Sequence, residues 1–173
     1  MLVAAGAALC LLVGCQGSAA PDGVRLYEPQ TLDLDRCIVS VETTSVSGDD
    51  AAIALGLRVA PTPAEQPPEG YERLTLVARL ENTSQEEFLT TASPDSIRIL
   101  QMSGDALPVV MNAGFVRGVS DEPSPLEGSS NLAPGGTVTA IVSVFVPQGE
   151  QQVMFDWMID AASFATIGLS PAR

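Results

Sequence analysis

The stretch Thr137-Val138-Thr139-Ala140-Ile141-Val142-Ser143-Val144-Phe145-Val146-Pro147 decides the fold class of this chain. Val138, Ala140, Val142, Val144 and Val146 share one phase of a period of two, and Thr137, Thr139, Ile141, Ser143 and Phe145 hold the other. Successive side chains of a strand point to opposite faces, so this alternation predicts a strand with one face in a core. Pro147 closes the run at a strand end, where a missing N–H is tolerated. Ile141 and Phe145 are apolar on the phase opposite the valines, which predicts burial on both sides. The alternative is a docking surface at Ile141, Phe145 and the segment around Phe115.

The same period extends outward along the chain. Val153, Phe155, Trp157 and Ile159 alternate with Met154, Asp156, Met158 and Asp160, and Leu74, Leu76, Ala78 and Leu80 alternate with Arg73, Thr75, Val77, Arg79 and Glu81. Ala51, Ile53, Leu55, Leu57 and Val59 form a further run, and Cys37 falls in phase with Val39 and Val41. Residues 96–101, 107–111 and Phe164–Leu169 are shorter candidates. Turn-forming residues separate the runs, as in Ser47-Gly48-Asp49-Asp50, Glu81-Asn82-Thr83-Ser84, Ser103-Gly104-Asp105, Ala133-Pro134-Gly135-Gly136 and Pro147-Gln148-Gly149. No long helical stripe interrupts them. The pattern predicts an all-β chain folded as an antiparallel immunoglobulin-like β-sandwich of about seven to eight strands. The likeness is architectural only, because a Cys…Trp…Cys framework is missing. Two connections exceed what a hairpin needs: 61–70 reads as a stiff proline-rich bridge, and 112–131 as a loop long enough for a contact role.

Two features carry a resemblance. One is a strand running into Asn82-Thr83-Ser84; the other is Asn131-Leu132-Ala133-Pro134-Gly135-Gly136, followed by a strand into Val146-Pro147. Together they resemble the immunoglobulin-like domains of unknown function that follow the lipobox in many bacterial surface lipoproteins, over roughly residues 33 to 170. The resemblance implies a fold. It brings no catalytic residues with it.

The N-terminal residues fit that resemblance. Leu2-Val3-Ala4-Ala5-Gly6-Ala7-Ala8-Leu9-Cys10-Leu11 is uncharged and too short to span a bilayer, and polar residues follow from Gln16. Between them, Leu12-Val13-Gly14-Cys15 is similar to a lipobox. Small side chains there admit the peptidase, and the Cys15 thiol would receive the diacylglyceryl group. At least two acyl chains suffice for stable anchoring. The basic residues that usually precede such a run are not in the sequence, which opens Met1-Leu2. The expected organisation is a signal peptide at 1–14, a polar tether at 15–32 and a sandwich domain at 33–173. The expected location is the outer face of a bacterial membrane, or the periplasmic side of an envelope membrane.

Composition narrows the chemistry. The formal net charge is −13, from 21 acidic residues against 8 basic, and His is absent. Every basic residue is Arg. Such a balance argues against nucleic acid, which needs a cationic face. Without His or Lys, a Ser-His-Asp or Ser-Lys centre and a His-ligated metal are all impossible. Met102, Met111, Met154 and Met158 therefore do not match the Met/His copper carriers. Acylation of Cys15 leaves Cys37 alone in the mature chain, so no disulfide forms within it, and a lone thiol on an apolar phase reads as an inert core residue. Carboxylates are the remaining reactive groups, but Asp33, Asp35, Asp49, Asp50, Asp121 and Glu122 fall at turns and on solvent phases. The expectation is a non-enzymatic interaction module without a cofactor. It would be held to the membrane through Cys15 and bind an envelope protein or an extracellular ligand. The alternative is a small-molecule or Ca²⁺ binder, the ion held at Asp33-x-Asp35 or Asp49-Asp50.

Overall fold

The computed structural model describes residues 26–45, 48–54, 66–92, 96–107, 109–118, 124–126, 128–150 and 152–172; for 48–49, 52, 92, 109–118, 124–126 and 128–130 it describes the backbone alone. In chain order the elements are β1 (Gln30–Leu34), β2 (Cys37–Thr44), α1 (Gly48–Ala54), β3 (Tyr71–Asn82), β4 (Phe88–Ala92), β5 (Ile97–Gln101), β6 (Val109–Gly118), β7 (Ser124–Leu126), β8 (Gly128–Leu132), β9 (Thr137–Pro147), β10 (Val153–Met158) and β11 (Phe164–Leu169). All pairings are antiparallel.

The strand β9 lies inside a six-stranded sheet of order β1-β2-β3-β9-β6-β7. Its register with β3 places Leu74, Leu76, Ala78 and Leu80 opposite Val144, Val142, Ala140 and Val138. A second sheet, of order β11-β10-β5, turns Val153, Phe155 and Trp157 inward beside Ala165, Ile167 and Leu169. The two inner faces, with Phe88 and Leu132 from the two-stranded β4-β8 pair, form one continuous core. The chain is therefore an antiparallel β-sandwich, closed by burial of the alternating residues read from the sequence. Trp157 and Phe155 sit in its centre, fully buried, with ring centroids 6.3 Å apart and planes nearly perpendicular.

The central strand is buried on both faces. Ile141, Ser143 and Thr75 are all at most 2% exposed although they point away from the main core. The helix α1 lies against β6 and β9 on that side. On that face the Thr75 and Ser143 hydroxyls, directly opposite in register, bond to each other at 2.9 Å. Ile141 is thus packed rather than available for docking, and Phe145 is half-buried.

Four expectations need correction. The run from Ala51 is not a strand where it is described: Gly48–Ala54 is helical, and Leu55, Leu57 and Val59 lie outside the described residues. Alanine favours helix over any other residue type, and Asp49 and Asp50 suit a first turn. The helix turns Ala51 inward, at 7% exposure, and Ile53 outward, at 58%, whereas a strand would put both on one face. Second, most of the supposed loop 112–131 is strand, in β6, β7 and β8. Register shifts between Val109 and Met111 and between Asn112 and Gly114 break the period of two that would have revealed β6. Third, β4 escapes an apolar pattern because a threonine, Thr90, holds one of its buried positions. With these pieces eleven strands stand among the described residues, against the seven to eight expected. Last, the packed chain reaches back into the stretch read as tether: β1 begins at Gln30, and Tyr27 is 2% exposed and bridges Pro171.

Candidate functional site

The strands run between two ends of different character. At one end the chain joins the sandwich, with residues 26–28 laid against 170–172: Ala172 donates its N–H to Leu26 O at 3.1 Å and Glu28 donates to Ser170 O at 2.9 Å. The turn after Pro147 and the approach to β3 lie further out in the same direction, joined by Gln148 N–H to Gly70 O at 2.8 Å. At the opposite end the β1–β2 turn, the β3–β4 loop, the β8–β9 turn and the β10–β11 loop gather. Tyr27 bonds Thr43, which stands opposite Leu76 of β3, so the chain joins the sandwich six residues, about 20 Å, from Asn82.

Asn82, at the end of β3, organises the opposite end. Its side-chain N–H groups donate to Leu132 O at 2.8 Å and to Glu86 O at 2.9 Å. Its Oδ1 accepts from the backbone N–H of Ser84 at 2.9 Å and from the Ser84 hydroxyl at 2.7 Å. The Asn82 backbone completes the junction by donating to Gly136 O and accepting from Gly135 N–H. Ala133-Pro134-Gly135-Gly136 is a turn closed by Gly136 N–H to Ala133 O at 2.8 Å, with Gly135 at φ 72°. Proline followed by a residue of positive φ is the type II pattern, which only Gly or Asn takes without strain. Both motifs of the sequence resemblance therefore meet at one side chain, 1% exposed, with a structural part to play.

A second brace crosses between sheets. Arg36, in the β1–β2 turn, donates to Asp160 Oδ2 beyond β10, and its guanidinium carbon lies 4.7 Å from the centre of the Phe88 ring. Burial alone would raise the Asp160 carboxyl. The Ala162 N–H, the Ser163 hydroxyl, the Arg36 charge and the Ser163 backbone outweigh it and hold the group below its ordinary value. Ile159 O accepts from Thr91 N–H at 2.7 Å and from the Thr90 hydroxyl at 2.9 Å, tying β4 to the same corner. No sequence signal pairs Arg36 with Asp160, which stand 124 residues apart.

The residues singled out from the sequence disperse. Cys15, Cys10, Asp121 and Glu122 lie outside the described residues. Asp33, Asp35 and Asp50 are exposed, and for Asp49 and Phe115 only the backbone is described. Among the described residues no three Asp, Glu, His or Cys side chains come together to hold a metal, and Asp33 and Asp35 gain no third carboxylate there. Cys37 is buried in the core, where burial pushes its thiol up; Arg36 opposes the rise, and Asp160 and Asp33 add to it. No helix among the described residues is long and apolar enough to cross a membrane.

No family model and no curated protein matches the chain. Among solved structures it is similar to the yjhA protein from Bacillus subtilis, at 13% identity and a TM-score of 0.44 over 78% of this chain and 83% of that one. It is also similar to an uncharacterized β-sandwich protein from Clostridium difficile 630, at 11% identity and a TM-score of 0.35 over 80% and 89%. The fold stands on the strand register above.

Proposed function

We propose that the chain is a lipid-anchored, non-enzymatic interaction module of the bacterial cell envelope, attached through Cys15 and binding an envelope protein or an extracellular ligand. The observation that supports this reading is the polarity of the sandwich. The residues that follow the lipobox join it beside β11, and the braced loops around Asn82, Arg36 and Asp160 lie about 20 Å further along the strands. Hydrogen bonds and an ion pair hold that loop end in one arrangement, so a partner meets a preformed surface and little ordering entropy opposes binding. Loops on a rigid sandwich are where such folds place their contacts. The test is crosslinking in the native cell, then capture and mass spectrometry, beside a Cys15→Ser control. A discrete envelope partner captured from the membrane fraction and lost in the control is expected. An anchored protein with no reproducible partner would overturn the interaction role. A control that remains in the membrane would overturn the anchor.

A further inference from the structure

The outer face of the three-stranded sheet gathers several apolar side chains. In register, Met158 stands opposite Phe164, Met154 lies between Leu100 and Gly168, and Asp156 lies between Arg98 and Thr166. Phe164 is 52% exposed, and Met102, just past β5, is 56% exposed; Met154, Met158 and Leu100 are half-buried. The six-stranded sheet presents Arg73, Arg79, Glu81 and Glu42 on its outer side and carries α1 there. The smaller sheet instead carries half-buried Met154, Met158 and Leu100 beside an exposed Phe164 on its outer side.

We propose that this face rests on the lipid interface of the membrane that holds the chain. The proposal deepens the anchor reading above and rests on it. Residues 26–28 pair with 170–172, so the chain joins the sandwich at the β11 edge of this very sheet. Residues 16–25 can span no more than about 35 Å, which keeps β11 within that distance of a lipid on Cys15. The tether has little to cover the face with, since Gln16-Gly17-Ser18-Ala19-Ala20-Pro21-Asp22-Gly23 holds no large apolar side chain. Charge agrees: the whole chain carries −13, yet within the strands of this face the formal charges of Arg98 and Asp156, opposite each other in register, cancel. A second copy fits poorly, because three strands of about six residues offer about 300 Å², well under the roughly 800 Å² per partner of a stable dimer. Phenylalanine and pliable thioethers suit the boundary between headgroups and acyl chains. Seated this way, the sandwich keeps its braced loops at the rim, open to a partner.

The methionines themselves report on the proposal. The full lipidated protein is reconstituted in phosphatidylcholine vesicles, treated briefly with hydrogen peroxide, and sulfoxide at Met102, Met154 and Met158 is followed by mass spectrometry against a Cys15→Ser protein mixed with the same vesicles. Oxidation in the anchored protein is expected to slow about fivefold or more, and Phe164→Glu, at an exposed position, is expected to restore the faster rate. Equal rates in a protein that sediments with the vesicles would overturn the seated face and leave the anchor standing. A protein with Cys15 intact that does not sediment would overturn the anchor and this proposal together. Protection that grows with protein concentration in the absence of lipid would overturn it in favour of a second copy. Protection that survives in Phe164→Glu would count against this face as the seat.

Discussion

Asn82 donates its side-chain amide to the carbonyl of Leu132 at 2.8 Å, joining β3 of the large sheet to β8 of the small pair in a site closed to water. With its remaining bonds to Glu86 and Ser84, this amide uses both donors and its acceptor. Asn82→Ala orphans groups on three sides of the junction and is expected to cost about 2–4 kcal/mol. Asn82→Asp keeps the shape but loses the donors, so it is also expected to destabilise. Urea unfolding at neutral pH measures both; a loss below about 0.5 kcal/mol for either would deny the junction its role.

The buried hydroxyl pair offers a sharper contrast. Thr75 and Ser143, both buried, satisfy each other at 2.9 Å. Replacing one alone, as in Thr75→Val, leaves its partner buried without that bond, at an expected cost of about 1–2 kcal/mol. The double variant Thr75→Val/Ser143→Ala removes both polar groups and is expected to cost less than the sum of the singles. A double-mutant cycle in urea checks this, and strict additivity would show that the hydroxyls do not interact.

Acid is expected to loosen the loop end. The Asp160 carboxyl is held below its ordinary value of 3.8, so its contribution is fully present above that value in the folded protein and is lost as pH falls through the lower, folded value. Asp160→Asn is therefore expected to flatten the fall of stability below about pH 4. Thermal melts between pH 2 and pH 6 read it; identical slopes in wild type and variant would contradict the pairing. Cys37 works in the opposite sense. Burial raises its thiol, so its neutral form is stabilised in the fold and that contribution fades at alkaline pH, above the ordinary value of 9.0. In native protein the thiol is expected to react with a disulfide reagent only as fast as the sandwich opens.

The centre of the core has its own reporter. Trp157 is the one tryptophan and is fully buried. Its fluorescence is expected to be blue-shifted in the native protein and to move red in a single transition with urea. Trp157→Ala is expected to cost about 3–5 kcal/mol, enough to unfold a marginal domain. Native emission already at the wavelength of free indole in water would contradict the packing of β10.

Legibility in the sequence follows physical locality. Strands β3, β9, β10 and the start of β2 are readable because each repeats apolar residues every second position against a single core. Bulges hide β6, and Thr90 disguises β4, because a hydroxyl satisfied by Ile159 O is buried as firmly as a valine. The helix α1 is misread because Ala and Ile over so short a stretch fit either period. The Asn82-Thr83-Ser84 and Ala133-Pro134-Gly135-Gly136 turns are visible as motifs, but their meeting is not, since Leu132 lies 50 residues from Asn82. Arg36 and Asp160 leave no local trace at all. Their partnership exists only once both sheets are assembled.

Cys15 is the residue on which the proposed anchoring depends, and the most direct measurement is the mass of the N-terminal peptide of the mature protein from its native membrane. The expected peptide begins at Cys15 and carries an acyl-glyceryl group on its thiol. An unmodified Cys15 found in peptides continuous with Leu12-Val13-Gly14 would contradict it.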